Sequence, residues 1–324
     1  MIETSHTPHA LPTIDIEPLA SPAAPPGSPP TPVVTAIHQA CLSTGFFVAV
    51  GHGIEAEMTD LFHQARAFFG QPQGVKEQTP RRNRYGFVPF RQWAIDQTRD
   101  SGNTEFLDLG LADEVPLPAL PGFEAAIRAY QKVALRVGAR LLSAVAVGLG
   151  AEPGFFAARM TDPQCRLRLL HYPRAQPEPD GSLPVPTQSH TDYGAITLLA
   201  TDGVPGLEVK PIDQPWTPVD APPGSLVINL GDMLARWSND TYRSTPHRVV
   251  GPVDRDRISI PFFVNPNPET VVECIPTCVT SDHPCRYEPV SAGAFLASRI
   301  DSPVEPYVDR GDGPVRRVDR AAGA

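Results

Sequence analysis

Two histidines and an aspartate pose the question for this chain. In "SHTDYGAITLL" (189–199), His190 and Asp192 sit two residues apart at the mouth of an apolar run. Residues i and i+2 of a strand share a face, and an imidazole buried beside a carboxylate needs compensation. That points to a charged object between them. "STPHRVV" adds His247 at the start of another apolar run. Two imidazoles and one carboxylate at strand ends, with positions left open, suit a non-haem Fe(II) that must also bind substrate and dioxygen. Four closed, thiolate-rich ligands would instead mean structural zinc. Hydrogen-bonded histidines of a core or surface are the plain alternative.

A second pair lies in "DRDRISIPFFVNPNP" (254–268). Arg257 and Ser259 are two apart on a predicted strand whose other positions, Ile258 and Ile260, are apolar. An arginine pointing into a barrel interior is expensive unless it meets an anion. Its planar guanidinium grips a carboxylate bidentately, and a neighbouring hydroxyl adds a third hydrogen bond. The pair reads as a dock for a dicarboxylate whose other end reaches the metal. An internal ion pair with Asp254 or Asp256 is the competing reading.

These groups need elements to hold them. From Arg166 onward, "CRLRLLHYP", "GAITLLA", "GLEVKP", "SLVINLG", "HRVVGP" and "RISIPFFVNP" are short strand-like runs between Pro, Gly and Asp clusters. Such spacing indicates a sandwich, jelly roll or barrel. The first half is mixed. "PTIDI" and "FFVAV" read as strands, and helical spacing runs over 33–45, 55–70, 123–150 and, briefly, 153–160. Between the first strand and helix, "SPAAPPGSPPTP" (21–32) is too rich in proline for a helix or central strand and reads as a surface loop. The architecture expected is α+β: a helical layer against a mainly β, antiparallel, barrel-like core.

Composition narrows the partners. The 324 residues carry a net charge of −9, which gives no global attraction to nucleic acid or anionic lipid and favours a small-molecule partner. The N-terminus lacks a basic segment followed by an apolar one. The longest apolar stretch, "VALRVGARLLSAVAVGLG", is broken by Arg136 and Arg140. A cytoplasmic protein with no membrane partner is expected, and no oligomeric state is readable. Five cysteines, an odd number, argue against a disulfide framework. Cys274, Cys278 and Cys285 with His283 lack a paired C-x-x-C and read as loop residues rather than a zinc site.

The chain also resembles a known family. His190-Thr191-Asp192, "GAITLLA", "GLEV", "PPGSLVINLGDMLARWSNDTYRSTPHRVV" (222–250) and "DRISIPFF" (256–263) are similar to the isopenicillin N synthase-like family of Fe(II)- and 2-oxoglutarate-dependent oxygenases. "TGFFVAVGHGI", "RYGFVPF" and "EFLDLG" extend the resemblance through the N-terminal half. It implies a double-stranded β-helix, a jelly roll, flanked by helices. Residues 161–272 would form that core, 1–160 a largely helical region packing on it, and 273–324 a C-terminal segment and tail.

By position, the resemblance makes His190, Asp192 and His247 the iron ligands. It makes Arg257 and Ser259 the holders of the distal carboxylate of 2-oxoglutarate, with Tyr172 also contacting the cosubstrate. The family's usual Asn-x-Tyr reads here Leu170-His171-Tyr172, so only the tyrosine carries over. Arg84 and Arg91 stand where some relatives meet substrate, and Phe262, Phe263 and Asn265 are further candidates for the pocket. Gly231 and Asp232 are expected to form a turn, Asn229 and Trp237 to lie in the core around the site, and His52 to be a turn residue. The implied activity consumes O2 and 2-oxoglutarate, releases succinate and CO2, and oxidises a small molecule, usually by hydroxylation. Two rivals remain at this point: an isopenicillin N synthase-type oxidase that uses no 2-oxoglutarate, and a catalytically silent binding protein of the same fold.

Overall fold

A computed structural model describes residues 11–20, 31–82, 84–90, 104–112, 115–174, 185–251 and 254–300. Its main sheet takes four strands from the N-terminal half: β1 (Thr13–Asp15), β2 (Phe46–Val50), β3 (Gly86–Val88) and β4 (Glu105–Leu109). β5 (Arg166–Tyr172) joins them, while β6 (Thr187–His190) belongs to a second sheet. β7 (Ile196–Thr201) returns to the first, and β8 (Leu207–Val209) and β9 (Thr217–Pro218) to the second. β10 (Leu226–Leu230) and β12 (Arg257–Val264) complete the main sheet, and β11 (His247–Val249) the smaller one. The eight-stranded order is β1-β2-β10-β7-β12-β5-β4-β3, and the four-stranded order is β6-β11-β8-β9. All pairs in both sheets are antiparallel except β1 with β2. A short pair, β13 (Val271–Val272) with β14 (Val290–Ser291), stands apart.

The alternation of each strand sorts its residues between two interiors. Phe47, Ala49, Leu167, Leu169, Ile196, Leu198, Ile228, Ile260, Phe262 and Val264 face outward into the large core. Six helices are described: α1 (Pro32–Ser43), α2 (Glu55–Phe69), α3 (Gln73–Lys76), α4 (Phe123–Gly148), α5 (Asp232–Trp237) and α6 (Ala292–Ile300). α1 begins on Thr31, whose hydroxyl caps Val34 N–H, with Pro32 in the first turn. α4 lies across β7 and β12 and meets α1 and α2 on its other side. Gly138 permits that close approach, since a Cβ there would stand 3.2 Å from Val264 Cγ2.

The opposite face of the main sheet looks toward the smaller sheet. Phe46, Val227 and Leu199 from the first meet Leu207 and Val209 from the second in a separate apolar cluster. This is the two-sheet jelly roll expected from sequence. The sheet does not respect residue 160, however. Segment 1–160 supplies β1–β4, half of the main sheet, because "PTIDI", "FFVAV", "GFV" and "EFLDL" find edge and interior partners there. Residues 153–160 give only a single 3-10 turn, Ala157–Arg159, in place of the expected helix. Gly231 and Asp232 open α5 rather than a strand-to-strand turn, because Gly231 sits extended as its N-cap. Of the proline-rich 21–32, residues 21–30 lie outside the described residues, as do 301–324.

Candidate metal and cosubstrate site

His190, Asp192 and His247 come together at the end of the space between the sheets. β6 ends at His190, so Asp192 lies just past the strand rather than on it. The register sets His247 of β11 directly opposite His190. Asp192 Oδ1 is 3.8 Å from His190 Nε2 and 3.7 Å from His247 Nε2. These separations exceed hydrogen-bond length. One ligand atom from each residue lies within 4.8 Å of the others, so the three groups converge without bonding one another. Among the described residues this is the one such cluster, and the four residues Cys274, Cys278, His283 and Cys285 form none.

The other atoms of each group are already used. His190 Nδ1 lies 2.8 Å from Gln188 O, and His247 Nδ1 3.2 Å from Thr245 O. Donation to those carbonyls fixes the tautomer that leaves both Nε2 lone pairs facing the cluster. Asp192 Oδ2 accepts from Thr197 Oγ1 at 2.6 Å and Asn229 Nδ2 at 2.7 Å, leaving Oδ1 for a cation. Burial pushes the His190 imidazole down to about 4, and the neighbouring His247 adds to this. Burial works the other way on Asp192, but the two imidazoles and the Asn229 and Thr197 hydrogen bonds outweigh it and hold its pKa below the usual range. Two imidazole nitrogens beside an ionised carboxylate are the donor set a divalent iron needs.

The loop carrying Asp192 is pinned by backbone. Asp192 O accepts from Asp232 N at 2.7 Å, and Ala195 O from Gly231 N at 3.0 Å. A Cβ on Gly231 would stand 2.2 Å from Gly194 O, and one on Gly194 2.1 Å from Asn265 Oδ1. Glycine at both positions is what lets the Asp192 loop lie on the start of α5.

Arg257 reaches the same interior from β12. It is 1 % exposed, its Nε donates to Val204 O at 3.1 Å, and its Nη1 is buried without a partner. Neither competing aspartate pairs with it. Asp256 binds His171 Nε2 and the Arg174 amide, and Asp254 lies 3.8 Å from Arg255. A buried guanidinium with an orphaned donor fits an absent anion. Ser259 follows on the same face of the strand. Tyr172, opposite Arg257 in register, lies under its guanidinium at 5.0 Å and has its hydroxyl 3.3 Å from Thr187 Oγ1. Thr187 and His190 are three residues apart on β6, about 10 Å. The Arg257 end and the imidazoles are therefore within reach of one small dicarboxylate.

The remaining sequence candidates divide. Phe263 lines the interior beside Arg166, with the guanidinium 4.7 Å over its ring, whereas alternation turns Phe262 outward into the large core. Asn265 instead ties backbone together, accepting from Ala195 N and donating to Gln164 O. Its role here is to brace the Asp192 loop rather than to present an amide to substrate. Arg84 sits in the turn before β3, and Arg91 lies outside the described residues. His52 is a buried latch, with Nε2 2.8 Å from Gly224 O. Sequence reasoning passed over Arg166, Arg168 and Asp108. The alternation in "RLRLLHY", which puts both arginines on the face of Tyr172, was the signal available.

Comparison with known proteins agrees with this geometry. Residues 163–266 match the 2OG-Fe(II) oxygenase superfamily, and 11–119 match the family described as non-haem dioxygenase in morphine synthesis N-terminal. A 2-oxoglutarate-Fe(II) type oxidoreductase of Aspergillus fumigatus is 30% identical over 84% of this chain and 88% of its own. Gibberellin 2-beta-dioxygenase 2 of Arabidopsis thaliana is 30% identical over 93% and 87%. The Neurospora crassa T7H structure in complex with alpha-KG superposes with a TM-score of 0.78 at 28% identity, covering 90% of this chain and 96% of that one. The Aspergillus fumigatus relative is named for 2-oxoglutarate and the Neurospora crassa structure holds alpha-KG, which favours the cosubstrate reading over the oxidase rival, and the intact triad disfavours a silent protein. With two family models along its length, relatives matched over most of both chains and this site, the chain belongs to the Fe(II)- and 2-oxoglutarate-dependent oxygenases.

Proposed function

We propose that this oxygenase hydroxylates a small organic molecule, with His190, Asp192 and His247 holding the iron and Arg257, Ser259 and Tyr172 holding 2-oxoglutarate. When bound, the pair supplies dioxygen activation coupled to decarboxylation of 2-oxoglutarate to succinate. The observation that carries the assignment is a pair of converging groups: Asp192 Oδ1 turned toward the Nε2 atoms of His190 and His247, and Arg257 Nη1 buried without an acceptor. The protein's share is positional. Asn229 and Thr197 fix the carboxylate, Gln188 and Thr245 fix the imidazoles, and Tyr172 supports the guanidinium. Phe46, Leu207, Val209 and Val227 provide a dry wall between the sheets.

Small-molecule substrates are supported by the Neurospora crassa T7H complexes with thymine and with 5-formyluracil. A cytoplasmic setting is supported by the absence of disulfides among the five cysteines. A place in secondary metabolism is supported by the description of the matched N-terminal family. The test is succinate release with Fe(II), ascorbate and 2-oxoglutarate across a substrate panel. Slow release without substrate, stimulated by one panel member and absent in Asp192→Ala, is expected. No release under any condition overturns the proposal.

A further inference from the structure

The inner face of the main sheet holds a second charge cluster, centred on Asp108. Asp108 of β4 is fully buried and receives Arg168 bidentately, Nε to Oδ1 at 2.6 Å and Nη2 to Oδ2 at 2.7 Å. Arg81 Nη1 stands 3.8 Å and Arg166 Nη1 4.0 Å from the same Oδ2. Arg168 thus takes both oxygens at hydrogen-bond length, while Arg166 reaches the same carboxylate only at ion-pair distance. Among the described residues the Arg166 side chain makes no hydrogen bond; its contacts are that long ion pair and the Phe263 ring at 4.7 Å. Its side chain keeps 25 % of its surface exposed. Burial pushes its pKa down to about 10 against the pull of Asp108.

The register shows where this cation lies. Asn229 of β10 pairs with Thr197 of β7, Thr197 with Phe263 of β12, and Phe263 with Arg166 of β5. The row begins with the two residues that grip Asp192 and ends on Arg166, two strand spacings or about 10 Å beyond Thr197. Arg257 is six residues from Phe263 on β12, about 20 Å along the strand. The interior therefore has an arginine at each end, and the cosubstrate site described above uses only the Arg257 end.

We infer that the substrate of this oxygenase carries a carboxylate, which Arg166 binds through its guanidinium edge while Phe263 backs the opposite face. The inference rests on the functional reading above, since it assigns the second arginine to the other reactant. An internal structural network is the alternative, but it leaves the Arg166 guanidinium 4.0 Å from Asp108 Oδ2, beyond hydrogen-bond length. The planar fork of arginine matches a carboxylate bidentately and discriminates strongly against its neutral amide.

The test is anaerobic calorimetry with matched acid and amide pairs: phenylacetate with phenylacetamide, 3-phenylpropanoate with its amide, and octanoate with its amide. Each is titrated into protein loaded with Fe(II) and excess 2-oxoglutarate, which fills the Arg257 end, and also into metal-free protein. Loading is itself measured first, so failure of the functional reading shows as no iron or 2-oxoglutarate binding, separately from the probes. At least one acid should bind about tenfold or more tighter than its amide. Arg166→Gln should erase that preference, while Arg166→Lys keeps a weakened one. Acids and amides binding alike to the wild type, no acid binding in the millimolar range, or a preference intact in Arg166→Gln overturns the inference. The wild-type comparison decides even where a variant fails to fold.

Discussion

The two faces of β5 and β12 carry opposite chemistry on the same backbone. Outward, Leu167, Leu169, Ile258, Ile260, Phe262 and Val264 enter the large core, with α4 packed over β12. Inward, Arg166, Arg168, Tyr172, Arg257, Ser259 and Phe263 line the space between the sheets. Alternation alone separates them. The lesson is that the outer face provides the stability that lets the inner face hold underpaired cations beside a metal triad. Stability and function should therefore respond to different members of one strand.

The largest effect is expected at the metal. Loss of partners outside the ligand set typically costs about 10–100-fold in affinity or activity, and loss of a ligand exceeds that. Asp192→Ala should abolish succinate formation while its circular dichroism and thermal transition stay close to wild type. The outer face should do the reverse. Leu169 is fully buried, so Leu169→Ala should lose about 2–5 kcal/mol in denaturant titration while turnover per folded molecule persists. Arg257→Ala returns to the inner face. Truncating one partner of a buried charge pair costs about 2–5 kcal/mol, so apparent KM for 2-oxoglutarate should rise at least tens of fold with iron affinity unchanged. Asn229→Ala frees Asp192 Oδ2 from one of its two donors, and iron affinity should fall about 10–100-fold.

The smallest effect belongs to His171 near the end of β5. Its Nδ1 lies 2.9 Å from Glu105 and its Nε2 3.1 Å from Asp256; Lys76 takes the other Glu105 oxygen, and Arg66 and Asp202 lie across a small cleft. Burial lowers its pKa, but the two carboxylates outweigh this and raise it above the ordinary 6.5. The native state thus favours the protonated ring. That stabilisation is complete below the unfolded pKa and is lost as pH rises through the higher folded one. His171→Phe should therefore reduce stability more at about pH 6 than at about pH 9, as read by denaturant titration at both. An equal loss at the two pH values would remove the charge from the account.

Much of this was legible in the sequence because it depends on local period. Every strand expected after Arg166 is present, and "HTD" with "STPH" and "RIS" marked residues that the sheets do bring to one interior. What was not legible depends on register between distant strands. Nothing near Arg166 in the chain says that β4 sets Asp108 opposite Arg168, or that Phe263 of β12 comes beside Arg166. Asn265 looked like a pocket residue because of its place after "PFFV", yet a loop 70 residues away claims its carbonyl oxygen. Likewise "NLGDML" carries turn residues, but Gly231 there makes room for the Asp192 loop and caps a helix.

The central claim is that His190, Asp192 and His247 form a ready site for one iron, and metal content tests it most directly. Wild-type, His247→Ala and Asp192→Ala proteins are loaded with Fe(II) anaerobically, desalted and analysed for iron per chain. The account predicts about one iron per wild-type chain and essentially none in either variant, with thermal transitions unchanged. Iron retained equally by all three proteins, or by none, would contradict it.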